Sequence, residues 1–330
     1  MQKSAHRIAP MLAAVVWIHL GAIATAAEVA EPAAAPSRWA ADIDRFDEEL
    51  HLRLLAPSDA RSHWVRAGLD KTDIASQVTH FAAARGQAPQ DVLYLASLGV
   101  ACMTPTRPVL PECDAVDRLA DWARRDEDNG IPYILLADRA RQRKETDAMV
   151  ATLDEAAGKA RFDEYWGRGV LAYWDYVRAV PASYDPAAKA VAALNYASEQ
   201  AVTWPTAVQA LCVNARERAV DAVRAACGRL GAAMAQRGAS WSARLIGYTV
   251  ASRNAADAGV KAQIEGERVA FNRARTRCDD ARHARFDGLE SGDAGVRARD
   301  LSEADAWVRA QAQYGEVGAC ERLARGATRP

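Results

Sequence analysis

Six cysteines are the residues whose type and number point most directly to chemistry. An even cysteine count is typical of exported, disulfide-bonded proteins. The cysteines fall into sequential pairs, so bridging between near neighbours is the simplest connectivity. No two of them stand two to four positions apart, as a zinc site requires, and there is no C-x-x-C redox motif. The sequence therefore predicts disulfides, with no metal ion or cofactor, at Cys102, Cys113, Cys212, Cys227, Cys278 and Cys320.

The second cysteine pair sets a geometric condition on the helices around it. Cys212 and Cys227 lie on apolar helical faces. On one continuous helix they would be about 22 Å apart, whereas a disulfide needs Cα atoms within roughly 7 Å. Pairing therefore predicts a break between residues 213 and 222, with Asn214 as a helix stop and Asp221 as a new cap.

The segment between the first two cysteines contains prolines at positions 105, 108 and 111. Proline disfavours helix and stiffens the backbone, so Cys102 and Cys113 can meet across a short extended loop. One interpretation is a rigid loop that offers Arg107 to a partner. The other, which we favour, is a staple between the two helices of a hairpin.

The densest aromatic patch lies between residues 165 and 176. Aromatic side chains stack on sugars or anchor peptides, and Trp and Tyr are frequent at interfaces. A run of this kind also packs the core between helix pairs, and packing is the more common outcome. The candidate ligand-binding residues are Tyr165, Trp166, Tyr173 and Trp174, with Tyr176 beside them.

Catalytic and nucleic-acid motifs are not found in the sequence. H-E-x-x-H, G-x-S-x-G and S-x-x-K do not occur, and His51, His63, His80 and His283 show no ligand-like spacing. Without residues 1–26 the basic count falls by two, from 42 to 40, against 43 acids. This balance argues against a nucleic-acid partner. A carboxylate pair that hydrolyses a polymer stays an alternative, because such pairing depends on the fold.

The amino-terminal residues indicate how the chain is routed. Lys3 and Arg7 precede an apolar stretch, and the small residues Ala24-Thr25-Ala26 follow it. This is the layout of a secretory signal peptide over residues 1–26. A flexible Pro/Ala linker is expected at 27–38, and no later segment approaches the length needed to span a bilayer. We expect a periplasmic or secreted protein whose mature chain does not insert stably into a membrane.

Alanine-rich, β-branch-poor segments must then position the cysteines and aromatics, and they favour helix over strand. Apolar spacings of three and four predict a first helix over 41–55 and another over 71–84. Pro181 and Pro186 separate an N-terminal helical region, 39–180, from a C-terminal one, 181–330. The expected fold class is all-α, built from disulfide-stapled antiparallel helix pairs.

Paired helices recur in the middle of the chain. Asp91 is expected to cap a helix that leads into Cys102, and Asp114 to cap the next. Leu-Ala pairs recur at 95–96, 136–137 and 171–172. Residues 88–180 thus resemble degenerate tetratricopeptide-type hairpins, whose repeats run near 34 residues. The resemblance implies an α-solenoid with a binding role, while an irregular arrangement of helix pairs is the alternative.

These patterns together favour a helical interaction or scaffold protein of the cell envelope, with an envelope protein or peptide as its partner. The alternatives are an envelope-polymer hydrolase that uses paired carboxylates and a carbohydrate-binding protein. The sequence carries no motif that identifies the ligand or the oligomeric state.

Overall fold

The computed structural model describes residues 38–70, 73–104, 110–114, 117–180, 184–198, 204–214, 220–291 and 293–325. The predicted signal peptide, the predicted linker up to residue 37 and Arg107 lie outside these residues.

Helices dominate the described part of the chain and are numbered here in chain order. The first eight are α1 (Arg38–Arg53), α2 (Ala60–Leu69), α3 (Ile74–Gln87), α4 (Val92–Ala101), α5 (Pro111–Asp114), α6 (Arg118–Arg125), α7 (Gly130–Gln142) and α8 (Thr146–Gly158). The others are α9 (Trp166–Ala179), α10 (Pro186–Ser198), α11 (Trp204–Val208), α12 (Asp221–Arg237), α13 (Trp241–Arg253), α14 (Ala258–Phe286) and α15 (Ala294–Ala324). A π-helical turn, Gln209–Val213, continues α11, and a 3-10 turn, Asp287–Glu290, precedes α15. No β-strand occurs in the described ranges, so the all-α prediction is confirmed.

Helices that are neighbours in sequence are mostly neighbours in space. Each helix contacts the next one in the series α2, α3, α4, α6, α7, α8, α12, α13, α14 and α15. α15 packs in turn against α9, which also contacts α2 and α10. α9 therefore lies between the early and the late helices of the chain.

The described residues from Arg38 onward pack as one compact unit. Its main hydrophobic core extends from Phe46 to Val308 and includes residues on both sides of the predicted boundary at 180/181. A second, smaller core forms around Trp241, Trp307 and the last disulfide. Burial of these apolar side chains is the main favourable contribution to folding.

The three disulfides follow the predicted sequential order. Their Cα atoms are 5.4 Å apart in Cys102–Cys113 and in Cys212–Cys227, and 5.9 Å apart in Cys278–Cys320.

The helical break that the second disulfide requires is present. The π-helical turn ends at Val213, Asn214 follows it as the C-cap, and α12 begins at Asp221. The N-cap of α12 is Val220, one residue before the predicted position, and no side-chain cap bond forms there.

One helix was not predicted, and one predicted cap is wrong. The helix that was not predicted is α2, although Asp59 and Ser62 cap it reciprocally. The N-cap of α6 is Asp117, because Asp114 ends the short helix α5 that Pro111 begins. By contrast Asp91 caps α4 as expected, accepting a hydrogen bond from Leu93 N at 3.0 Å.

The two longest helices lie near the end of the chain. α14 has 29 residues, and α15 has 31 with a kink at Gly315, where φ is +71°. Among the helices described, none combines the length and the apolar character that crossing a membrane requires.

Candidate functional site

The predicted aromatic patch lies largely between helices. Tyr165, Tyr173 and Trp174 are buried, and Trp166 is half-buried against the main core. The Tyr173 hydroxyl donates to Val65 O at 3.2 Å. These three rings therefore lie inside the protein. Core packing between helix pairs was the alternative interpretation of this aromatic patch.

Trp174 ties α9 to the last helix. Its indole Nε1 donates to Asp305 Oδ1 at 2.8 Å, and Arg178 forms an ion pair with the same carboxylate. Burial acts to raise the pKa of Asp305, but hydrogen bonds from Arg309 and Trp174 and the charges of the nearby arginines together lower it. The indole N–H is therefore satisfied inside the protein.

A cleft of about 620 Å³ opens beside the C-terminal end of α9. Four helices and the residues next to them supply its walls, so the chain brings together positions more than a hundred residues apart. We call it the arginine–tyrosine cleft. Its lining residues are Arg53, Asp59, Ala60, Arg61, Tyr94, Tyr176, Ala179 and Val180.

The amino end of α2 forms one rim of the arginine–tyrosine cleft. Asp59 Oδ1 accepts a hydrogen bond from Ser62 N at 2.7 Å, and Ser62 Oγ accepts one from Asp59 N at 3.0 Å. This reciprocal capping box satisfies the free N–H groups of the first turn and fixes the start of the helix. Ala60 and Arg61, which follow the cap, are held at the rim by it.

Two arginines give the cleft cationic groups. The Arg61 side chain is 46% exposed and lies 4.0 Å from Asp175 Oδ2, beyond hydrogen-bond distance. Arg53 donates to Glu49 Oε1 at 2.6 Å and 2.9 Å. An incoming carboxylate can therefore reach the Arg61 guanidinium from solvent. Planar guanidinium groups bind carboxylates through two parallel hydrogen bonds, in bidentate geometry.

Two tyrosines supply neutral hydrogen-bond donors to the same space. Burial raises the pKa of Tyr94, and nearby Asp91 adds to the effect. Burial also raises the pKa of Tyr176, with Asp59 as the next cause. Both phenols are thus protonated at neutral pH. Tyr176 is the member of the aromatic run that reaches the cleft.

A second polar cluster joins the connectors at one end of the helices. Asp126, before α7, accepts hydrogen bonds from Asn129 Nδ2 at 2.8 Å and from the Tyr165 hydroxyl, and it pairs with Arg161. Backbone bonds extend the arrangement: Gly130 N donates to Arg161 O at 2.8 Å. The cluster locks the α8–α9 connector against the turn that precedes α7.

Carboxyl groups in and beside that connector have unusual proton affinities. Burial raises the pKa of Glu164 to about 8, although a hydrogen bond with Ser240 opposes the effect. Burial likewise raises the pKa of Asp163 and of Glu316. Glu164 Oε2 is buried without a hydrogen-bond partner. A carboxyl group that stays protonated at neutral pH is often found at functional sites, but buried structural networks produce it as well.

Sequence reasoning did not identify the cleft or the carboxyl group of Glu164. Arg61, Tyr94 and Tyr176 belong to three helices and share no motif. For Glu164 a signal was available, because two adjacent acids at 163–164 stand directly before a run of aromatics.

Comparison with protein-family models, curated proteins and solved structures finds no match to this chain. The fold and the site define it as an all-helical protein with three disulfides and an arginine–tyrosine cleft.

Proposed function

We propose that this chain is an exported helical binding protein of the cell envelope, whose arginine–tyrosine cleft receives an acidic segment of a protein or peptide. The observation that carries the proposal is the convergence of Arg53, Arg61, Tyr94 and Tyr176 on one cleft of about 620 Å³. Guanidinium groups and neutral phenols are all donors, so the site complements a ligand rich in acceptor oxygens.

The composition of the cleft favours binding over polymer hydrolysis. Glycoside hydrolysis needs two carboxyl groups that flank the scissile bond. Among the described residues that line the cleft, Asp59 alone carries a carboxylate. That carboxylate is engaged in capping α2. The carboxyl group of Glu164, whose pKa is raised, belongs to the cluster that joins the connectors and does not line the cleft.

Export is supported by the cysteines and by the sequence of residues 1–26. All six cysteines are paired. Disulfides persist in the periplasm and outside the cell and are rare in reducing compartments. A cleavable signal peptide would deliver the chain to such a compartment, which agrees with a partner in the envelope.

The helical hairpins of residues 88–180 are part of the same proposal. α7 and α8 pack against each other, and α6 bridges α4 to α7. Tetratricopeptide-type hairpins form a fixed helical surface to which ligands bind. The resemblance supports a binding role for the chain.

Peptide binding tests the proposal directly. Two fluorescent peptides of equal length, one alternating Asp with Ala and the other Lys with Ala, are titrated with the protein and followed by fluorescence anisotropy. We expect the acidic peptide to bind and its affinity to fall as salt increases, because exposed charges are screened. Arg61→Glu should weaken binding of the acidic peptide at least several-fold.

A matched variant controls for the change in net charge. Arg224→Glu removes an arginine of similar exposure, 50% against 46%, on α12. It should bind the acidic peptide as the unmodified protein does. Equal binding of the two peptides, or an unchanged affinity in Arg61→Glu, would refute the cleft as an acidic-peptide site.

A further inference from the structure

Two histidines face each other across the α2–α3 hairpin. His63 is on α2 and His80 on α3, and their Nδ1 atoms are 3.0 Å apart. The ring centroids are 5.2 Å apart and the ring planes are inclined by 39°. Both side chains are half-buried, so solvent reaches the pair.

The hairpin holds the two rings in place through its polar connector. Asp70, the C-cap of α2, pairs with Arg66 at 3.1 Å and accepts a hydrogen bond from Ser76 Oγ at 2.5 Å. Asp73 caps α3 by accepting a hydrogen bond from Ser76 N at 3.0 Å. The last turn of α2 and the first turn of α3 are thus joined, which fixes the register in which the rings meet.

The nitrogen spacing fits shared metal ligation. Nitrogen ligands about 2.05 Å from one ion lie about 2.9 Å apart in cis square-planar geometry and about 3.4 Å apart in tetrahedral geometry. The observed 3.0 Å falls between these values. Each ring needs to turn about its Cβ–Cγ bond, so that the lone pairs converge on the ion instead of facing each other.

The hydrogen-bond contact between the rings is also compatible with ligation. Two neutral rings in this contact share one Nδ1 proton. If the donor ring moves that proton to its Nε2, both rings stay neutral and both Nδ1 lone pairs become available.

We propose that His63 and His80 form a two-histidine binding site for a divalent transition-metal ion that favours imidazole, with Cu²⁺ bound more tightly than Zn²⁺. The order follows the general affinity series of first-row metals for nitrogen sites. The described residues contain no group of three or more His, Cys, Asp and Glu side chains arranged to hold a metal. Water therefore completes the coordination sphere, and the ion clamps α2 to α3.

Metal titration of the protein, purified without a polyhistidine tag, tests this site. Isothermal titration with Cu²⁺ at tens of micromolar should give one site per chain, and electron paramagnetic resonance should show two bound imidazoles. Zn²⁺ should compete more weakly. Binding should weaken as the pH is lowered, because ligand histidines must be neutral.

Three single variants locate the ion. His63→Ala and His80→Ala should each weaken Cu²⁺ binding at least tenfold and remove the rise in melting temperature that the ion causes. His283→Ala, which removes an exposed histidine from α14, should change neither. If an alanine variant fails to fold, the corresponding glutamine variant replaces it, because glutamine keeps a polar side chain at the hairpin.

Three results would overturn the proposal. The first is no Cu²⁺ binding at these concentrations, and the second is unchanged binding in both hairpin variants. The third is loss of binding in His283→Ala, which would place the ion on α14.

Discussion

Replacing Glu164 by glutamine should make the protein more stable at neutral pH and should change how its stability depends on pH. Glu164 lies in the α8–α9 connector, and its Oε2 is buried without a hydrogen-bond partner. Glutamine has nearly the same shape and carries no acidic proton. The substitution therefore removes the cost of keeping this carboxyl group protonated while leaving the packing of the connector intact.

The size of the effect follows from the two pKa values. Burial raises the pKa of Glu164 to about 8 in the folded protein, against an ordinary value of 4.5 for a solvent-exposed glutamate. Below the lower value both states are protonated and the group has no effect. As the pH rises toward the upper value, the unfolded chain releases its proton and the folded chain does not, so stability falls with pH. At about 1.4 kcal/mol per pH unit, the loss between pH 5 and pH 7 is about 2–3 kcal/mol.

Urea unfolding at a series of pH values measures this effect. The free energy of unfolding is determined for the unmodified protein and for Glu164→Gln between pH 5 and pH 8, with the disulfides intact. The difference between the two proteins should grow with pH in favour of the variant and level off near pH 8. Glu127→Gln, which replaces an exposed glutamate before α7, controls for the loss of one formal charge. A stability difference that stays constant over this range, or that favours the unmodified protein as pH rises, would show that Glu164 ionises normally in the folded chain.

Two further predictions concern covalent and backbone constraints. Replacing Cys212 and Cys227 together by alanine should lower the free energy of unfolding by about 3 kcal/mol in the chain-entropy model, measured by urea unfolding; an unchanged unfolding midpoint would contradict it. Gly315→Ala should lower it by about 1–3 kcal/mol, because φ is +71° and an added Cβ would lie 2.7 Å from Ala239 O. Gly266→Ala, within α14 where an added Cβ meets nothing within 4 Å, should instead be neutral or stabilising. Equal effects of the two glycine substitutions would contradict the assignment of strain to the kink.

The sequence was most informative where geometry left few choices. Cys212 and Cys227 cannot pair on a continuous helix, so their spacing predicted a break that the structure has between Val213 and Asp221. The cap of α6 was predicted at Asp114, which is wrong. Asp117 caps α6 instead, because Pro111 begins the short helix α5 and Asp114 ends it.

The cleft could not be predicted, because its residues come together only through tertiary packing. Arg61 stands on a helix whose apolar spacing is weak and whose start depends on the Asp59–Ser62 capping box. Tyr94 and Tyr176 lie on helices separated by four others along the chain. The pKa of Glu164 likewise depends on burial and on groups distant in sequence, because a hydrogen bond with Ser240 lowers it and the charge of Glu316 raises it.

The aromatic run on α9 explains how a buried helix can support a surface site. Tyr173 packs edge-on against Trp64 of α2, and Trp174 donates to Asp305 of α15, so the two sides of α9 are held by different parts of the chain. An added Cβ at Gly167 would overlap the backbone of α15, which shows how closely these helices approach. Because α9 is fixed on both sides, its last turn carries Tyr176 to the cleft at a defined position. The aromatic residues that were predicted to bind a ligand therefore hold in position the wall of the arginine–tyrosine cleft, which we propose is the binding site.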